Sequence, residues 1–167
     1  MVLHFQHPLY QALEHINFIG EPTTIPIHPH LKQRSDETIT HYGNAKWAII
    51  DKLNSRYSTI LNTEFNLHHW LHYNEHDEAA YFLNEAGSNA LNHSEFKAPS
   101  HFHLWMGTKG FVIGIEQQGK GFDAKKVHEE KIKEGEGAAF EFFRKCKGTV
   151  FFDEPEQARV VYLEVRV

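Results

Sequence analysis

Glu85-Ala86-Gly87-Ser88-Asn89-Ala90-Leu91-Asn92-His93 lies inside a run with helical spacing. Ala79, Ala80, Leu83, Ala86, Ala90 and Leu91 recur at intervals that line one side of a helix, and Asp77 stands where an N-cap belongs. The spacing predicts a helix over about 77–94. Glu85 and Asn89 are four apart, so they project from one face a turn apart, and His93 continues the stripe. A carboxylate and a carboxamide stacked in this way supply a proton acceptor for water and a hard oxygen ligand for Mg²⁺. The plain alternative is a polar stripe that faces solvent.

Downstream, the pattern switches from helical to alternating. Phe102, Leu104 and Met106 alternate with His101, His103 and Trp105, Lys109-Gly110 turns the chain, and Phe111 to Gln117 runs back. This predicts a β-hairpin. Gln117 shares the parity of Ile113 and Ile115, so it ends its strand on the face they bury. Residues 122–134 are rich in Lys and Glu and read as a polar connection or short helix. A helix over about 136–146 and strands at 148–152 and 159–167 follow, with Asp153-Glu154-Pro155-Glu156 as the turn between the strands. Upstream, Asn44 is placed to cap a helix through about 60, with Ala45, Trp47, Ala48, Ile49, Leu53, Tyr57 and Ile60 on or near its apolar face. Residues 1–43 form an N-terminal extension of uncertain structure. Leu9 to Phe18 suits a short helix. Pro22, Pro26 and Pro29 make the following segment extended, as an edge strand or arm.

Three short motifs occur in order: Glu85-x-x-x-Asn89-Ala90-x-x-His93, then Gln117-Gln118-Gly119-Lys120-Gly121-Phe122-Asp123 at a strand end, then Gly135-Glu136-Gly137. Together they resemble the GHKL (Bergerat-fold) ATPase domain, most closely the ATPase modules of histidine kinases and anti-sigma-factor serine kinases. The likeness covers residues 44–167. It implies an α+β two-layer sandwich, with a mixed, mostly antiparallel sheet and helices on one face. It implies ATP and Mg²⁺ as cofactors. Asn89 would hold the metal, and Glu85 would polarise the attacking water or hydroxyl. His93 would wall the phosphate side. Gln117, Gly119 and Gly121 would line the adenine side, and Gly135 and Gly137 would bring backbone N–H groups to the phosphates. The segment 122–134 would be a short ATP lid. The family has Asp at the position of Gln117, where it accepts a hydrogen bond from the adenine amino group. Loss of a charge-assisted bond there costs about 1.5–3 kcal/mol, so a member that no longer binds nucleotide and serves as an interaction or phosphotransfer scaffold is the alternative. No phosphoacceptor motif of the histidine-kinase type precedes the boxes.

Composition narrows the rest. The 167 residues carry a net charge of −5 and no basic stripe with interleaved aromatics, which argues against nucleic acid. The one cysteine, Cys146, forbids an internal disulfide; despite Arg144, Lys145 and Lys147 beside it, it reads as an ordinary thiol. No signal-like leader and no membrane-length apolar run are evident, so the expectation is a soluble cytoplasmic protein that does not meet a membrane. A regulatory protein partner in bacterial signalling is expected, and a homodimer is compatible with the pattern. The 14 histidines are a high count. His68, His72 and His76 would align on a helix, and His101 and His103 share a strand face. With no cysteine ligands beside them they read as solvated or part-packed side chains, with a metal-binding or pH-sensing domain as the lesser reading.

Overall fold

The hairpin forms as the alternation requires, and the rest of the sheet grows from it. In the computed structural model, which describes residues 2–4, 7–27, 36–72, 77–93, 99–117, 119–135 and 147–167, β3 (Pro99–Met106) and β4 (Gly110–Gln117) pair antiparallel, with Leu104 opposite Ile113. Four further strands join them: β1 (Val2–His4), β2 (Thr23–Pro26), β5 (Thr149–Phe151) and β6 (Val160–Arg166). The order across the sheet is β1-β5-β6-β4-β3-β2. Every pairing is antiparallel except that of β1 with β5. Pro26 is tolerated because β2 is an edge strand.

The expected α+β sandwich, with a mixed and mostly antiparallel sheet, is what the chain adopts. The helix α2 (Asp36–Leu61) and the helix α3 (Glu78–His93) lie over one face. Ile49, Ile50 and Leu53 of α2 and Ala79, Phe82, Leu83 and Ala86 of α3 bury themselves against Phe102, Leu104, Phe111, Ile113, Ile115 and Leu163. Tyr42 near the start of α2 meets Phe102, and Tyr57 near its end meets Phe111. Two antiparallel helices thus run along the strands. The Tyr57 hydroxyl reaches through to the hairpin turn, 2.8 Å from the carbonyl oxygens of both Gly107 and Gly110.

α2 begins well before Asn44, so the expected cap is wrong: Asn44 is an exposed residue within the helix, one position after Gly43. A single helical glycine costs only about 1 kcal/mol relative to alanine, and the buried Tyr42 offsets it. Trp47 and Ile60, expected on or near the apolar side, are exposed. By contrast Asp77 caps α3 as predicted, its Oδ1 accepting from Ala80 N at 3.0 Å.

Residues before position 44 are built into the sheet. They supply both edge strands, and the short helix α1 (Leu9–His15) lies on the face opposite α2 and α3. There Ala12 and Ile16 pack with Val112, Phe151 and Tyr162. The polar connection is a helix, α4 (Ala124–Glu134), capped by Asp123, whose side chain accepts from Lys126 N. The expected helix at 136–146, with Gly137 and Cys146, lies outside the described residues. Among the described residues no helix is long and apolar enough to cross a membrane.

Candidate functional site

The flanks of α3 decide where its polar residues point. Tyr42 occupies one flank: its ring fills the space beside Gly87, and its hydroxyl lies 3.3 Å from Leu83 O and 3.4 Å from Asn84 O. Lys46, over the Tyr42 ring, donates to Asn84 Oδ1 at 2.8 Å. Glu78, Glu85 and Asn89 are spaced to share a second flank, with Glu85 still near enough to Tyr42 to act on its hydroxyl. Glu78 shows where that flank faces, because its carboxylate accepts from the backbone N–H groups of Lys147 and of Gly148 (2.8 Å for Gly148), just before β5. Ala79, in the first turn of α3, lines a cleft with Phe111, at the start of β4. Gly87, further along, reaches the level of Tyr42, Phe102 and Ile115. Glu85 and Asn89 therefore lie toward the end of the sheet where β4 finishes in Gln117.

Glu85 is partly buried, and that burial pushes its carboxyl above the ordinary range. It also holds the Tyr42 hydroxyl up, after the larger effect of that hydroxyl's own burial. Asn89 is partly buried. His93 ends α3, and its side chain lies outside the described residues. Gln117 follows the predicted parity and is partly buried; its Nε2 donates to Lys120 O at 3.3 Å across the glycine turn. Gly119 has φ of +93°, which a glycine adopts without strain. Gly121 sits so close to residue 157 that a Cβ would lie 2.4 Å from Gln157 O. Gly135 is the left-handed C-cap of α4, and its N–H donates to Ile132 O. That N–H already has a partner inside the protein. A cleft of about 760 Å³ opens at the opposite end of α3, between residues 61–65, Glu78, Gly148 and Arg166, away from Gln117.

A desolvated carboxylate disfavours its charged form. The folded chain binds the Glu85 proton more tightly than the unfolded chain, so Glu85 opposes folding fully above its folded pKa, and that penalty fades as pH falls to its ordinary unfolded value. Glu85→Gln is therefore expected to raise the melting temperature at pH 7, and the gain should vanish near pH 4. A melt series across that range checks this. A variant less stable than wild type at pH 7 would mean that the Glu85 carboxylate is held by a favourable partner.

The outer face of the sheet carries residues that motif reading passed over. A continuous row of rings crosses it: His101, His103, Trp105, Tyr162, Phe151, His7 and His15, with successive centroids 4.8 to 6.0 Å apart. His103 Nε2 lies 2.8 Å from Glu116 Oε2, and its Nδ1 lies 3.1 Å from Thr24 Oγ1. The His103 hydrogen bond, with the charges of His103, His101 and Arg159, holds the Glu116 carboxyl below its usual range against the opposing effect of burial. The expected sharing of a face by His101 and His103 holds. His68 lies in a 3-10 turn (Leu67–His72), while the His72 and His76 side chains are outside the described residues. Gly114 leaves room for the row, since a Cβ there would lie 3.1–3.2 Å from the Tyr162 and Trp105 rings. Period-two alternation signalled this face, but the pairing of β4 with β6 and the docking of α1 were needed to join the rings.

Compared with family models, curated proteins and solved structures, the chain shows no match.

Proposed function

We propose that this chain is a histidine-kinase-like ATP-binding domain that works in cytoplasmic bacterial signalling through a regulatory protein partner. The observation that carries the reading is the orientation of Gln117. With Nε2 turned onto Lys120 O, its Oε1 is the atom left to accept a hydrogen bond, the role an adenine amino group requires. Gly119 and Gly121 form the turn beside it. Asn89 would hold Mg²⁺ through its side-chain oxygen, the half-buried Glu85 would take a proton from the attacking group, and His93 would wall the phosphate side. ATP would supply the transferable phosphoryl group and Mg²⁺ its charge neutralisation. The chain's own part is positioning. The fit is better at the adenine and metal ends than at the phosphate end, where the Gly135 N–H is spent on its helix cap and Gly137 lies outside the described residues. That contrast favours, as a second reading, a scaffold that keeps the fold and binds a partner without nucleotide.

Thermal melts with ATP and Mg²⁺ separate the two. A ligand at a hundred times its dissociation constant stabilises by about 2.7 kcal/mol, which is about 5–10 °C for a chain of this size. Gln117→Asp should tighten ATP about tenfold, and Asn89→Ala should remove the Mg²⁺ dependence while leaving the melt of the free protein unchanged. If neither wild type nor Gln117→Asp responds to ATP, the scaffold reading takes its place.

A further inference from the structure

Glu164 is the buried acidic residue of β6, its side chain 1% exposed. Three groups converge on it from distant parts of the chain. His15 Nδ1, at the end of α1, lies 3.1 Å from Oε1 and 3.3 Å from Oε2. His7 Nε2, just before α1, lies 3.7 Å from Oε2. Arg166 donates from Nε to Oε1 at 2.9 Å, and one of its terminal nitrogens lies 2.9 Å from His15 Nδ1.

Protons alone do not satisfy this arrangement. Arginine only donates. If His15 Nδ1 carries a hydrogen it suits Glu164 but meets an N–H of Arg166 head-on. If it carries a lone pair it suits Arg166 but faces a carboxylate. A cation between His15 and Glu164 removes the conflict, because an imidazole lone pair and a carboxylate oxygen then point at the same positive centre. The geometry is near what zinc needs. One ligand atom from each of His7, His15 and Glu164 can be chosen so that all three lie within 4.8 Å of one another, and tetrahedral ligands about 2.0 Å from zinc sit about 3.3 Å apart.

We propose that His7 Nε2, His15 Nδ1 and the Glu164 carboxylate form a zinc-class metal site that pins the N-terminal segment to the last strand. Arg166 is its competitor. In the metal-free protein the guanidinium neutralises Glu164; its side chain is 62% exposed, so it swings into water when the metal enters. Three protein ligands leave a fourth position, and the partly exposed side of His15 opens it to solvent.

Co²⁺ is the probe, since tetrahedral nitrogen and oxygen coordination gives it strong visible bands. Wild type should take up one Co²⁺ with those bands, displaced by Zn²⁺, and its melting temperature should rise with Zn²⁺ and return with chelator. His15→Ala removes a ring that is 37% exposed, so its own melt in chelator is recorded beside the titration, and Co²⁺ affinity should fall about a hundredfold in the folded variant, at the upper end of losses from second-shell changes. Ala at His101 and His103 together should leave the bands intact, which sets aside adventitious binding by other histidines. Arg166→Ala should bind Co²⁺ about tenfold more tightly. Absence of the bands in wild type, or their persistence in His15→Ala, overturns the site. An Arg166→Ala variant that binds no more tightly overturns the competition assigned to Arg166.

Discussion

Gly107→Ala is expected to destabilise the chain by about 4 kcal/mol or more, at the upper limit for a point substitution. Gly107 begins the β3–β4 turn where the end of α1 docks. A Cβ there would lie 2.0 Å from Ile16 O and 2.7 Å from Asn17 O, both backbone atoms. Nothing flexible stands in the way that could yield. Retreat is blocked from several sides. Lys109 N donates to Ile16 O at 2.9 Å, Phe18 bridges to Gly107, and the Tyr57 hydroxyl holds Gly107 O. The added methyl must therefore lift α1 from the sheet and expose Ala12, Ile16 and Val112, or open the turn. Urea unfolding of both proteins measures the difference. A loss below about 1 kcal/mol would mean that residues 16 and 17 do not rest on the turn.

Asp77→Ala is expected to cost about 3 kcal/mol. Asp77 is 3% exposed and serves three groups: Ala80 N at 3.0 Å, Asn66 N at 2.6 Å and His69 Nδ1 at 2.9 Å. Loss of the N-cap alone costs about 1 kcal/mol, and each buried donor left without an acceptor adds about 1–3 kcal/mol. The midpoint of thermal unfolding should fall by about 6–12 °C. Asp77→Asn retains the cap but supplies a neutral acceptor, so it should recover roughly half the loss. Equal damage from Ala and Asn would show that the Oδ2 acceptor shared by Asn66 N and His69 Nδ1, and not the cap, carries the effect.

Local signals were legible in the sequence wherever the physics is local. Asp77 announced α3 because capping depends on residues within one turn. The alternation after Pro99 announced the hairpin because side-chain parity is a property of the strand itself. Pro22 and Pro26 marked an edge strand through their missing N–H groups. The start of α2 was hidden because Gly43 looks like a break until Tyr42 is seen packed against α3 and Phe102. Gly135 looked like a phosphate-loop glycine, and its neighbourhood reads equally well as the end of a Lys- and Glu-rich helix, which is what it caps. The meeting of His7 and His15 with Glu164 had no sequence signal at all. It depends on α1 crossing the outer face and on β1 joining β5, and both are contacts between the two extremes of the chain.

That last arrangement bears on how the protein is made. Val2 pairs with Thr149, and α1 rests on β4 and β6. On the ribosome, residues 2–16 must wait for partners synthesised more than a hundred residues later. α2, α3 and the β3–β4 hairpin can assemble from neighbours in the chain while the N-terminal helix remains undocked, its apolar side open to chaperones or to another nascent chain. The sheet thus closes only after residues 149–166 have emerged, and the segment at residues 2–16 is the natural point at which crowding or slow elongation would divert the newborn chain toward aggregation.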